Sequence, residues 1–277
     1  MPELPEVETI KRILAPQITG QSIVSTEMRN AQVIAYPSPD IFARMVCRGT
    51  ITGMSRRGKY LAIHLTGGDR IIIHLRMTGQ LLVTPADYPE EKHTHLILNL
   101  SGGKQIRYID VRRFGRFWCL SSGENNEIAG MDKLGIEPTD DRLTASYLKS
   151  VLGNRKTPIK EMLHDQSIIA GIGNIYSDEI LYAAGIYPGR RCVDMKDNDW
   201  QCLAEQIPAV IRWGIEANHM TPEEYLAGKG KEYRNTPILK AYGHEGQPCS
   251  KCGTLFKRIR VGGRSSTYCP VCQKEFL

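Results

Sequence analysis

The chain has 277 residues, too many for one small domain and about right for packed bodies of roughly 100–200 residues each. Apolar residues make up 41% and charged residues 24%, enough to bury a sizeable core, which excludes a disordered chain. Lys and Arg number 36 against 30 Asp and Glu, and the net +6 is compatible with a nucleic-acid partner without proving one. No apolar run approaches the ~20 residues of a membrane helix. Met1-Pro2-Glu3-Leu4-Pro5-Glu6 has neither the basic nor the apolar region of a signal peptide, so none is expected.

The opening residues predict a helix. Pro5 suits a first turn, Glu6 and Glu8 favour its positive end, and Pro16 and Gly20 stop it. The rest of 1–130 reads mostly as strands. Residues 59–65 and 70–77 flank Gly67-Gly68, while 94–100 and 104–110 flank Gly102-Gly103, giving two hairpin signatures. Leu61, Ile63 and Leu65 share one face, the period of two of a half-buried strand. The first domain, 1–130, is therefore expected to be a β-sandwich with a flanking helix.

A second domain, 131–237, reads as helical. Thr144 can cap a helix through Leu152, and Asn174 opens another that Gly185 closes. Residues 197–218 form a long helix kinked by Pro208, and 221–237, polar and rich in Gly and Lys, read as a loop. The third domain, 238–277, carries Cys249-x2-Cys252 and Cys269-x2-Cys272 separated by 16 residues. Two such knuckles can set four thiolates tetrahedrally around one structural Zn²⁺. Cys47, Cys119, Cys192 and Cys202 are scattered singly and read as small buried side chains. The tail from 240 holds seven Lys and Arg against Glu245 and Glu275, so five of the six net charges sit there.

Several constellations could carry chemistry. Gly171-Ile172-Gly173-Asn174 precedes a helix, whose free N–H groups suit a phosphate. Gly262-Gly263-Arg264 puts a guanidinium at a hairpin tip, suited to phosphate or simply solvated. Met77 and Arg112-Arg113-Phe114-Gly115 lie at strand ends. An apolar wedge beside arginines can enter a base stack, although such residues are more often core. His74, His93 and His95 are ambiguous on residues alone. The start is the strongest clue. Removing Met1 exposes the secondary amine of Pro2, followed at once by the carboxylic acid Glu3. A terminal amine, pKa about 7.7–8.0, is roughly a tenth neutral at pH 7, against under roughly a thousandth for a lysine at about 10.4.

Taken together, the residues 1–9 (Met-Pro-Glu-Leu-Pro-Glu-Val-Glu-Thr), Arg56-Arg57-Gly58-Lys59, His74-Leu75-Arg76-Met77-Thr78-Gly79, Asp110-Val111-Arg112-Arg113-Phe114-Gly115, Gly171-Ile172-Gly173-Asn174-Ile175-Tyr176 and the four-cysteine finger resemble formamidopyrimidine-DNA glycosylase along the whole length. The resemblance implies a multidomain α+β fold: an N-terminal β-sandwich with flanking helices, a helix–two-turn–helix module and a C-terminal zinc finger. It implies a bifunctional DNA glycosylase/AP lyase of base excision repair that removes oxidised purines, 8-oxoguanine and formamidopyrimidines, by base flipping. Pro2 attacks C1′ to form a Schiff base, and Glu3 acts as acid at the sugar or base. Lys59 contacts phosphate and donates the proton for β-elimination, and Arg264 serves δ-elimination and phosphate binding. Asn174 binds phosphate, and Met77, Arg112 and Phe114 fill and probe the vacated stack. His93 and Arg155 contact the DNA backbone, and Glu6 is a second pocket carboxylate. Cys249, Cys252, Cys269 and Cys272 hold one zinc. The implied partner is double-stranded DNA with oxidised bases or abasic sites, bound by a monomer in the bacterial cytoplasm at the nucleoid.

Two stretches depart from the family pattern. Its usual Gly-Gly-Ser/Thr is Asn218-His219-Met220-Thr221 here, and His244 follows Tyr242-Gly243 where a more basic residue is common. Both bear on lesion preference, so the same chemistry on oxidised pyrimidines or abasic sites, as in endonuclease VIII, is an alternative. A non-catalytic zinc protein that binds damaged DNA is another, against which the intact Pro2, Glu3 and Lys59 argue.

Overall fold

Val7, Ile10, Leu14 and Ile18 recur at intervals of three and four, which makes one stripe of the first helix apolar. In the computed structural model, which describes residues 1–47, 49–231 and 236–275, all four are buried along α1 (Leu4–Ile18). Each such side chain contributes roughly 1.5–3 kcal/mol on burial. The helix runs past Pro16 for two residues and ends before Gly20, which takes a left-handed φ of 84°.

The strands that follow are β1 (Ile23–Met28) and β2 (Ile34–Tyr36), then, after α2 (Pro39–Val46), β3 (Ile51–Arg57), β4 (Tyr60–Leu65), β5 (Arg70–His74), β6 (Gly79–Pro85), β7 (Thr94–Leu100), β8 (Lys104–Asp110) and β9 (Arg116–Leu120). They form a five-stranded sheet, order β2-β9-β5-β4-β3, and a four-stranded sheet, order β1-β7-β8-β6. Both expected hairpins are present: Leu61 faces Ile73 across one, and Leu98 faces Ile106 across the other. Inward residues of both sheets, Ile63, Ile71, Leu81, Leu98 and Tyr108 among them, share one core with α1. Helix α2 was not expected from the sequence, although Pro39 and Asp40 mark its start, Arg44 lies in its last turn, and Phe42 and Val46, four apart, are buried.

The second unit comprises Glu3–Pro5, Lys133–Asn218 and the chain from Arg234 on, and the first holds the rest. Its helices are α3 (Ala145–Leu152), α4 (Ile159–His164), α5 (Asn174–Ala184) and α6 (Asp197–Ala217). Thr144 accepts the Tyr147 N–H at 3.1 Å as the expected cap, and Gly185 closes α5 in the left-handed region. Trp200, Tyr176, Ile180, Ile207 and Ile211 fill the core. Gly214 lets α6 meet α5, since a Cβ there would fall 2.5 Å from the Tyr176 ring.

Residues 221–237, expected as a loop, begin with a helix instead: α7 (Pro222–Ala227). Thr221 and Glu224 exchange side-chain and backbone hydrogen bonds in a capping box, and buried Tyr225 donates to the Leu81 carbonyl at 3.3 Å. The Thr-Pro-Glu-Glu start was masked by the Gly/Lys-rich composition after it. This stretch, grouped with the helical domain in the sequence-based division, packs on β6. Residues 232–235 of the expected loop lie outside the described residues. The chain ends with β10 (Lys257–Val261) and β11 (Arg264–Tyr268), an antiparallel pair. Among the described residues, no helix is long and apolar enough to cross a membrane.

Candidate functional site

In the first unit, Met77 follows β5 and Arg112 and Phe114 follow β8. Met77 and Phe114 are 46% and 45% exposed, so the core reading of both is set aside. The Arg112 guanidinium lies 4.6 Å from the centre of the Phe114 ring, and one of its N–H groups points at Met77 Sδ, 3.2 Å away. The structure thus brings the three expected stack-filling residues into one exposed cluster of two apolar tips and a cation. His93, with a left-handed φ of 71°, precedes β7, and its carbonyl accepts the Asp110 N–H at 3.1 Å.

Lys59 occupies the two-residue Gly58–Lys59 turn between β3 and β4, where Gly58 has a φ of 55°. Its side chain is buried. The turn is braced by Arg56, which donates to the Gly58 carbonyl and pairs with Glu8 of α1, each at 3.1 Å. Burial would raise the Glu8 carboxyl, but Lys11, Arg56 and Arg12 outweigh it and hold Glu8 below its ordinary range. Pro2 is half-buried, Met1 before it is exposed, and Glu6 is buried on α1.

In the second unit the Gly-Ile-Gly-Asn segment receives an anion, and it is the chain's own Glu3. Its carboxylate accepts the N–H groups of Gly173 (2.8 Å), Ile175 (2.9 Å) and Tyr176 (3.2 Å) at the start of α5. The positive end of a helix stabilises negative charge at this place. A Cβ on Gly173 would fall 2.4 Å from Glu3 Cδ, and one on Gly171 2.5 Å from Leu4 Cδ1. Both glycines therefore serve to seat residues 3 and 4. Asn174 follows as the first residue of α5, with a buried Oδ1 that has no hydrogen-bond partner among the described residues. Arg155, just beyond α3, is exposed.

Arg264 stands exposed beside the tip of the β10–β11 hairpin, whose Gly262 and Gly263 both take positive φ, as a type I′ turn requires. The hairpin is moored by residues the sequence did not single out. Lys160 Nζ, 1% exposed, donates to Asp178 Oδ1 at 2.6 Å and to the Ser265 carbonyl at 2.7 Å. Asp178 also accepts from the Ser266 hydroxyl and the Thr267 N–H. Burial pushes Lys160 down and Asp178 up, each toward its neutral form, against the attraction of the partner. A lone Lys or Asp in a helical pattern carries no sign of such a pairing. Glu179 was likewise missed, and it accepts the N–H groups of Lys240, Ala241 and Tyr242.

The sulfur atoms of Cys249, Cys252, Cys269 and Cys272 all lie within 4.8 Å of one another. Four Zn–S bonds of ~2.3 Å in a tetrahedron need S–S separations of about 3.8 Å. The Cys249–Cys272 and Cys252–Cys269 pairs, at 3.9 and 3.4 Å, fit that cage. Burial would raise the Cys249 thiol, but the Tyr182 hydroxyl and backbone N–H groups that donate to its sulfur outweigh it and lower it, whereas burial and the neighbouring sulfurs push Cys269 and Cys272 up. A cation among the four would favour the thiolate at each. The four-cysteine set suits one structural Zn²⁺.

Three domain descriptions match the chain in order. They are the formamidopyrimidine-DNA glycosylase N-terminal domain over residues 1–117, its H2TH (helix–two-turn–helix) domain over 134–224, and a zinc finger of this family and isoleucyl-tRNA synthetases over 246–274. The formamidopyrimidine-DNA glycosylase of Desulforamulus reducens is 44% identical over 99% of both chains, and that of Moorella thermoacetica 43% over 94% of this chain and 95% of its own. Lactococcus lactis Fpg, solved in complexes with DNA containing an oxidised pyrimidine or Fapy-dG, superposes with a TM-score of 0.90 at 33% identity, covering 99% of this chain and 100% of its own. The chain belongs to the formamidopyrimidine-DNA glycosylase family.

Proposed function

We propose that this chain excises oxidised purines from double-stranded DNA and then cuts the strand, with Pro2 as its nucleophile. It is a bifunctional DNA glycosylase/AP lyase. Once Met1 is removed, the lone pair of the Pro2 nitrogen attacks C1′ of a flipped nucleotide, the C1′–N bond to the base breaks, and the base leaves with a proton. The Pro2 nitrogen then gives up its own proton and its lone pair opens the C1′–O4′ bond, O4′ taking a proton, with Glu3 as acid at the sugar or base. The iminium that results acidifies the 2′ hydrogen. Loss of that proton breaks the C3′–O bond, and a second elimination breaks the C5′–O bond. Lys59 donates a proton in the first elimination, and Arg264 assists the second while both hold phosphates. Asn174, His93 and Arg155 contact the backbone, which fixes register without reading sequence. Met77, Arg112 and Phe114 occupy the gap left by the base.

The observation that carries this reading is the seat of Glu3. The carboxylate next in the chain to the nucleophile is clamped by three helix-start amides, so it does not wander while the sugar reacts. The protein acts as a monomer in the bacterial cytoplasm, and the relatives it matches are bacterial. Oxidised pyrimidines are the second reading, favoured by the oxidised-pyrimidine complex of the Lactococcus lactis protein. Single-turnover excision on duplexes with 8-oxoguanine, formamidopyrimidine or thymine glycol separates the two. Purine lesions are expected to be released at least tenfold faster, and faster release of thymine glycol would overturn the purine preference.

A further inference from the structure

Asp110, the last residue of β8, is wholly buried and carries no role in the chemistry above. Its carboxylate accepts five hydrogen bonds. One oxygen accepts from the Thr78 hydroxyl and the Arg112 N–H, at 3.1 Å for the latter. The other accepts from the Tyr108 hydroxyl (2.8 Å), the Phe114 N–H (2.8 Å) and the Gly115 N–H (3.0 Å). Its backbone carbonyl meets His95 Nε2 at 2.7 Å, and its N–H donates to the His93 carbonyl. Three loops therefore converge on one residue: the loop with Met77, the loop with Arg112 and Phe114, and the turn with His93.

These loops do not hold their shape by propensity. Arg76, His93 and Arg113 all take left-handed φ without being glycine, and each such residue needs its surroundings to fix it. Gly115 packs so closely that a Cβ there would fall 1.8 Å from the Tyr108 hydroxyl oxygen. Burial alone would raise the Asp110 carboxyl. The Gly115, Thr78, Tyr108 and Arg112 donors outweigh it and keep the group charged, below its ordinary range. A charged acceptor with five donors is a rigid joint, since each bond to an ionised group is stronger than a neutral one.

We propose that Asp110 is a positioning residue that assembles the stack-filling cluster before DNA arrives, welding the Met77 loop to the Arg112–Phe114 loop through the Thr78 hydroxyl. The inference rests on the reading that Met77 and Phe114 enter the base stack, and it adds the device that holds them ready. A pre-assembled wedge spares the protein the ordering of two loops at the moment the base leaves, and a displacement of 1 Å costs on the order of a hundredfold in rate.

The test uses the full zinc-loaded chain with Asp110→Asn and Thr78→Val beside Met77→Ala and Phe114→Ala. Asp110→Asn places an NH₂ against N–H donors, and Thr78→Val keeps the shape while removing the bridging hydroxyl. Each protein is assayed for excision of paired 8-oxoguanine and for cleavage at an abasic site, where no base needs extruding, so the ratio cancels differences in active fraction. A 2-aminopurine opposite the lesion reports insertion of the wedge by its fluorescence. We expect Asp110→Asn to lower the ratio at least tenfold and Thr78→Val about threefold, both with slowed fluorescence rise. Where Asp110→Asn fails to fold, Thr78→Val decides alone. A parental ratio and parental rise in the deciding variant, with the ratio lowered in Met77→Ala and Phe114→Ala, would overturn the positioning role. A parental ratio in those two alanine variants would instead overturn the stack-filling reading beneath it.

Discussion

His74 ends β5 two residues before the strained Arg76, whose N–H donates to its Nδ1 at 3.0 Å. Burial, then the charges of Arg76 and Lys59, drive this imidazole from 6.5 down to about 3. Between those values the unfolded chain binds a proton that the folded chain refuses, so stability is lost as pH falls through that window, by about 1.4 kcal/mol per pH unit. His74→Asn keeps an acceptor for Arg76 and removes the titration. Its unfolding free energy from urea titrations should fall less steeply than the parent's between pH 6.5 and 4.5, and parallel slopes would refute the assignment. At this scale the sequence is legible where a residue type has one use, as with four paired cysteines. It is less so where one type has several. Gly171 and Gly173 read as a phosphate seat at the start of α5, yet the anion those amides hold is the chain's own Glu3, some 170 positions away. Nothing local to either segment encodes that meeting.

The two glycine-centred hairpins, α3 and α5 were legible as elements because turn chemistry, caps and period agree at each of them. Helices α2 and α4 were not, since neither closes on a glycine as α3 and α5 do at Gly153 and Gly185, and α7 was hidden by composition although its capping box was in plain sequence. The moorings between elements were the least legible of all. Lys160 of α4 and Asp178 of α5 hold the strand that begins with Arg264, and both are 1% exposed. Removing one partner leaves the other charge buried and alone, so Lys160→Met should cost about 3–5 kcal/mol, read from its denaturation midpoint. Adding Asp178→Asn should recover part of that loss. A single variant as stable as the parent would show that the pair does not hold the hairpin.

For the whole molecule, the basic excess and the metal site coincide in the finger. Among the described residues its apolar cluster is Tyr182, Ala241, Cys249, Phe256 and Cys269, with Cys272 packed against it. A tail of this size does not fold on so small a core, so metal binding supplies its folding energy. Cys249→Ser should lose one zinc per chain and at least tenfold in DNA affinity while the helices and the sandwich keep their circular dichroism. Undiminished DNA binding in a zinc-free variant would contradict this. The proposed chemistry turns on a secondary amine at residue 2 as the atom that bonds to DNA. Borohydride reduction during turnover on 8-oxoguanine DNA, followed by peptide mapping of the trapped adduct, tests it most directly. An adduct through the Pro2 nitrogen of a chain lacking Met1 is expected, and none in chains that keep Met1. An adduct mapped to Lys59, or trapping that proceeds with Met1 in place, would contradict it.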